Sequence, residues 1–255
     1  MKKSNIKSAK DRLILALDVD TMEEAKELVC QLKDYVGIFK VGLQLYTGVG
    51  PEIIKFIHDE GGKIFFDGKF HDIPNTVAKA NANLVKLGVT FFDIHISGGS
   101  KMIESSLSLA RQTAKEHGMG DLTVLGVTLL SSFGQRTLTE ELGVKNNIED
   151  YATKMAKLAQ ECGLNGVIAN ATDVPRIRQE CGEDFIISCP AVRPTWAYVN
   201  DQVRVVTPAD AVKLGVDYMV IGRPITKAKD RVTAAKLIID EIEQAMNSSD
   251  DEEQY

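Results

Sequence analysis

Little in this chain would tie it to a membrane, a metal or a polyanion. Its 255 residues include four cysteines, at 30, 162, 181 and 189. None of them forms a CxxC pair or a zinc spacing, which points to free thiols in a reducing cytoplasm. There is no run of ~18 apolar residues, as a membrane-spanning helix needs. The start, MKKSNIKSAKDR, is basic but has no apolar core of the kind that makes a signal peptide. Nor is there a basic stripe: the net charge is −6, and an acidic chain of this kind is a poor partner for nucleic acid. The Gly48-Val49-Gly50-Pro51 turn lacks the third glycine of a dinucleotide-binding fingerprint. No linker or shift in composition divides the chain.

What is present is an ordinary globular mixture, 44% hydrophobic and 26% charged. Short apolar, β-branched runs alternate with helical patterns. The expected strands are Leu13–Val19, Ile38–Gly42, Lys63–Asp67, Phe91–Ile96, Thr123–Leu129, Gly166–Ala169, Phe185–Ser188 and Tyr218–Gly222. Between them lie amphipathic stretches such as Met22–Tyr35, with Ala25, Leu28, Val29 and Leu32 on one stripe. Eight strand–helix units in about 250 residues predict an α/β protein, a single (β/α)8 TIM barrel. A doubly wound open sheet is the alternative. The barrel is expected to span residues 1–246 as one catalytic domain, with a disordered acidic tail at 247–255.

One segment stands apart: Asp67-Gly68-Lys69-Phe70-His71-Asp72-Ile73-Pro74-Asn75-Thr76. It follows the apolar run Ile64-Phe65-Phe66. Side chains alternate along a strand, so Asp67 and Lys69 should share a face and leave the strand at its carboxyl end. Asp72 lies in the following loop, and Pro74 can open a helix. Two carboxylates bracketing one ammonium keep a lysine protonated and fix where its proton points.

Chemistry in a barrel sits at the carboxyl ends of the strands. Strand one delivers Asp18 there, strand two Lys40, and strand four His95. Strand five is followed by Ser131 and Ser132. Charges beside a core are costly unless paired, so an alternating Asp, Lys, Asp, Lys cluster reads as a site. An ion-pair network closing the barrel mouth is the bland alternative. The loops after strands seven and eight often hold phosphate, and they carry Arg193, Gln202, Gly222 and Arg223. His71 is as readily a supporting or surface residue as a catalytic one, and His95 as readily a buried structural one.

These motifs together resemble orotidine 5′-phosphate decarboxylases of the bacterial type, over about residues 11–245. FFDGKFHDIPNT is similar to the family's D-x-K-x-x-D-I-P-N-T signature. LALDV, FKVGLQLY, HISGG, VTLLSS, RP…DQVRVVTP and VDYMVIGRPI follow in the family's order. The resemblance implies a cofactor-free, metal-free decarboxylase making uridine 5′-phosphate, the last step of pyrimidine nucleotide synthesis. It implies a homodimer with shared active sites. Asp67, Lys69, Asp72 and Lys40 would form the catalytic array, with Lys69 protonating C6. Asp18 would bind the ribose and pyrimidine side, Lys40 the ribose hydroxyls, and Ser131 and Ser132 the pyrimidine. Ile73 and Thr76, with Asp72, would reach the neighbouring subunit's site. Arg193, Gln202, Gly222 and Arg223 would grip the 5′-phosphate.

Three positions depart from the family pattern. Ala191 stands where a glycine is usual, Trp196 occupies another common glycine position, and Arg231 replaces a proline. The nearest rival resemblance is to magnesium-dependent keto-gulonate-phosphate decarboxylases and hexulose-phosphate synthases. Those carry an acidic metal ligand at the end of strand two, where this chain has Lys40. A non-enzymatic phosphosugar-binding protein is the remaining alternative, and it would have no use for a lysine held between buried carboxylates.

Overall fold

The structure is a computed structural model that describes residues 6, 8–197 and 206–252. Eight parallel strands close into a barrel in sequence order: β1 (Leu13–Ala16), β2 (Ile38–Gly42), β3 (Ile64–Phe70), β4 (Phe91–His95), β5 (Thr123–Val127), β6 (Gly166–Ile168), β7 (Ile186–Cys189) and β8 (Tyr218–Ile221). β8 pairs back onto β1, with Ile14 beside Val220, so no sheet edge is left open. The barrel, not the open sheet, is the architecture.

Around it run α1 (Ala9–Arg12), α2 (Met22–Leu32), α3 (Leu43–Val49), α4 (Glu52–Asp59), α5 (Pro74–Lys86), α6 (Ser100–Glu116), α7 (Ile148–Glu161), α8 (Val174–Cys181), α9 (Pro208–Lys213), α10 (Arg223–Thr226) and α11 (Arg231–Glu252). Their starts are written locally. The Thr21 hydroxyl accepts the Glu24 N–H ahead of α2, Pro74 opens α5, and Thr207 forms a reciprocal capping box with Asp210 ahead of α9. The α2 stripe of Ala25, Leu28, Val29 and Leu32 is buried, as its spacing predicts. The expected unstructured end from 247 is not what the structure shows up to Glu252. There α11 runs on, with neither glycine nor proline to stop it; residues 253–255 lie outside the described set.

Strand alternation sorts the core into two layers. Leu13 and Leu15 face outward onto the helices, while Ile14, Ile38, Phe65, Phe91, Leu125, Ile186 and Tyr218 fill the barrel. β6 and β7 approach so closely that a methyl on Gly166 would fall 2.0 Å from the Ile186 carbonyl oxygen. At the amino-terminal end of the barrel, buried Arg178 donates to the carbonyls of Gly182, Glu183, Phe185 and Gly215 and to the Asp217 carboxylate. Asp217 in turn accepts the Ile187 N–H at 2.8 Å. This closed polar network fixes the face opposite the strand ends, where barrels keep their structural residues.

Candidate active site

The side chains at the mouth follow from the same alternation. Lys40 stands two residues beyond interior Ile38, Asp67 two beyond Phe65, and Asp93 two beyond Phe91. All three point inward, next to the apolar plug. Asp18 lies just past the end of β1. Lys40 Nζ is 3.1 Å from Asp18 Oδ1 and 3.1 Å from Asp67 Oδ2. Lys69 Nζ meets the other Asp67 oxygen, Oδ1. Each Asp67 oxygen therefore holds a separate ammonium.

The electrostatics follow from burial set against pairing. Burial alone would raise the Asp67 pKa; Lys40 and Lys69 overcome it and pull it down to about 2. Burial would likewise strip Lys40 of its proton, but Asp67 and Asp18 outweigh it and raise its pKa. Burial, then His71 and Lys69, push His95 down to about 4, so its imidazole is neutral at pH 7. The His71 and His95 rings lie 5.4 Å apart, centre to centre.

The array opens into a cavity of about 340 Å³. Its β1–β3 side is charged, with Asp18, Lys40, Asp67 and Lys69. The β5–β8 side is apolar, with Val127, Leu129, Ile168 and Val220. Ser131 and Ser132 form part of the rim, and Arg193, Gly222 and Arg223 close the far end. Arg193 is buried, and its N–H reaches the Val206 carbonyl at 3.0 Å. Gln202 lies outside the described residues. One long cavity thus joins a charged end, an apolar wall and a two-arginine end, a form that suits a flat, phosphorylated anion.

Asp72, Ile73 and Thr76 are not brought into this cavity. All three are exposed, and Asp72 Oδ1 accepts the Ile73 N–H at 2.6 Å. Ile73 is 67% exposed, unusual for an isoleucine beside a site mouth.

The expected end of β3 at Asp67 is revised. The strand continues to Phe70 through a register shift: Phe66 pairs with Phe92, but Phe70 pairs with Ile94. Lys69 sits inside this irregular stretch with φ 45. Its N–H is accepted by Asp93 Oδ1 at 2.8 Å. Asp93 is the residue that sequence reasoning missed. The alternation that places Lys40 and Asp67 inside the barrel also places Asp93, but its neighbour His95 is the more conspicuous residue at that strand end.

A closed (β/α)8 barrel with paired lysines and carboxylates at its strand ends defines a class, the barrel enzymes. Within it the chain belongs to the Orotidine 5'-phosphate decarboxylase / HUMPS family, whose model matches residues 11–238. It is 44% identical to an orotidine 5′-phosphate decarboxylase of Syntrophomonas wolfei, over 92% of this chain and 99% of that one. It is 43% identical to the protein of the same name from Heliobacterium modesticaldum, over 93% and 98%. Among solved structures, the orotidine 5′-phosphate decarboxylase of Lactobacillus acidophilus superposes with a TM-score of 0.80 at 33% identity, covering 90% of this chain and 98% of that one.

Proposed function

We propose that the protein converts orotidine 5′-phosphate into uridine 5′-phosphate and CO2, the last step of pyrimidine nucleotide synthesis, in the cytoplasm. The observation that carries this reading is Asp67, with one lysine on each oxygen, at the charged end of a cavity that ends in two arginines. The bond from C6 to the carboxylate breaks and its electron pair stays on C6. That vinylic carbanion has no adjacent carbonyl to delocalise it, so it needs fixed charge close by in a site that excludes water. Lys69 supplies the charge and then the proton, which completes the C6–H bond. Asp67 and Lys40 hold Lys69 in place. Arg193, Gln202, Gly222 and Arg223 grip the phosphate, and Ser131 the pyrimidine. Binding energy from the remote phosphate then helps to organise the reacting end.

The active unit in this reading is a homodimer. Exposed Asp72, Ile73 and Thr76 then complete the site of the partner, and Asp72 adds the second carboxylate near its Lys69. The exposure of Ile73 supports a partner covering it.

The test is the loss of orotidine 5′-phosphate absorbance on adding purified protein. Lys69→Ala should lower kcat by about 10³-fold or more while product binding through the phosphate residues persists. A normal rate in that variant would remove Lys69 from the role of donor. Magnesium-assisted chemistry is disfavoured by Lys40, whose ammonium lies between Asp18 and Asp67, where a cation would need an acidic ligand. Turnover should therefore be unchanged in excess EDTA, and a loss of activity there would favour the magnesium-dependent reading.

A further inference from the structure

β3 places three residues, Asp67, Gly68 and Lys69, where β4 offers one, Asp93. A bulge of this kind strips backbone groups of their ladder partners. Here a side chain replaces the ladder: Asp93 Oδ1 accepts the Lys69 N–H across 24 residues of sequence. That contact holds the lysine in its left-handed backbone conformation, φ 45. Asp93 is wholly buried, and its second oxygen, Oδ2, meets no hydrogen-bond donor among the described residues. The Asp93 carboxyl lies against that of Asp67. Two carboxylates in contact and out of water do not both ionise, so one keeps a proton. Asp67 is the one bonded to two ammoniums, so Asp93 is the one that keeps the proton. Burial and the Asp67 charge both drive Asp93 well above the usual carboxylate range, while Asp67 stays ionised.

We propose that Asp93 is a neutral carboxylic acid that positions the proton donor: its carbonyl oxygen accepts the Lys69 N–H while its O–H donates to Asp67. One side chain thus fixes both the backbone of Lys69 and the carboxylate that orients the Lys69 ammonium. The neutral form is essential to this role, because a second buried anion would compete with Asp67 for Lys69. The inference rests on Lys69 being the donor in the proposed decarboxylation.

Asparagine has the same shape as a protonated aspartate and offers the same acceptor and a donor in the same places. Asp93→Asn should keep kcat within about threefold of the wild type. Asp93→Ala should lower kcat by about 10²-fold, the scale of loss expected when a reacting group is misplaced by an ångström, with a smaller change in KM. The infrared spectrum of the wild type at neutral pH should contain a protonated-carboxyl C=O band that Asp93→Asn removes. If Asp93→Ala does not fold, the asparagine kinetics and the infrared band decide. A kcat for Asp93→Asn that falls 10²-fold, or the absence of a protonated-carboxyl band assignable to Asp93, would overturn the proposal. Wild-type protein inactive on orotidine 5′-phosphate would instead sink the decarboxylase reading, leaving the infrared result to judge the state of Asp93.

Discussion

Ala191 has φ 60, a region where an L side chain crowds its own backbone. The cost of such a conformation is about 1–2 kcal/mol. Glycine would remove it, at the expense of about 0.4–1 kcal/mol of extra freedom in the unfolded chain. The first effect is the larger, so Ala191→Gly should stabilise the protein by roughly 0.5–1 kcal/mol, readable as a higher denaturation midpoint in urea. An unchanged or lower midpoint would show that the alanine methyl makes compensating contacts. The family resemblance already marks Ala191 as a departure from glycine; the backbone angle gives the departure a physical meaning. Lys69, the other non-glycine residue with positive φ among the described residues, differs in being held there by a side chain from the next strand. Nothing within residues 67–76 foretells that contact, because the acceptor lies on a different strand.

Strands were the most legible elements, since an apolar run bounded by turn residues needs only local information. Their ends were less so. β3 outruns its apolar run because Asp93 completes the hydrogen bonding of its irregular stretch. The short helices α1, α3 and α10 have four to seven residues each, too few to show a helical period in sequence. Strand and helix ends also set the acid response. His95 closes β4, and its pKa of about 4 in the fold lies below the ordinary 6.5. Between those values the unfolded chain binds a proton that the fold refuses, so stability falls as pH drops from about 6.5 towards 4. Asp173, buried just ahead of α8, is pushed up to about 6 by its burial and then by Glu149. Its fold keeps a proton that the unfolded chain releases, so its contribution declines as pH rises from about 3.8 to 6. The two effects oppose each other. His95→Gln removes the first effect, so the fall in unfolding midpoint between pH 6.5 and 4 should become shallower. A wild-type acid limb in that variant would show that His95 does not cause it.

At the scale of the whole molecule, the barrel was readable from the count and order of its units, whereas the proposed homodimer rests on the family resemblance. Closure is what makes the site: β1 to β4 bring Asp18, Lys40, Asp67 and Asp93 side by side, although they span 75 positions of chain. In the proposed homodimer, exposed Ile73 belongs to the next level of organisation. Burying a side chain of that size contributes ≈ 1.5–3 kcal/mol. Ile73→Glu should therefore weaken the proposed dimer by about tenfold to a hundredfold. Sedimentation, with specific activity followed over dilution, reads both consequences. A dimer of unchanged strength would move the interface elsewhere.

The three inner members of the charged array differ in their access to water. The side chains of Lys40 and Asp67 are 9% and 11% exposed, while that of Lys69 is 32% exposed. Proton traffic gives the difference its sense. In the proposed mechanism, Lys40 and Asp67 keep their charges throughout a turnover and gain from isolation. In that mechanism Lys69 gives a proton to C6 each time and has to recover one from solvent before the next substrate arrives. The group that has to be recharged is the one that water can reach, so the open mouth of the barrel is both the entrance for substrate and the inlet for the proton that every product molecule carries away.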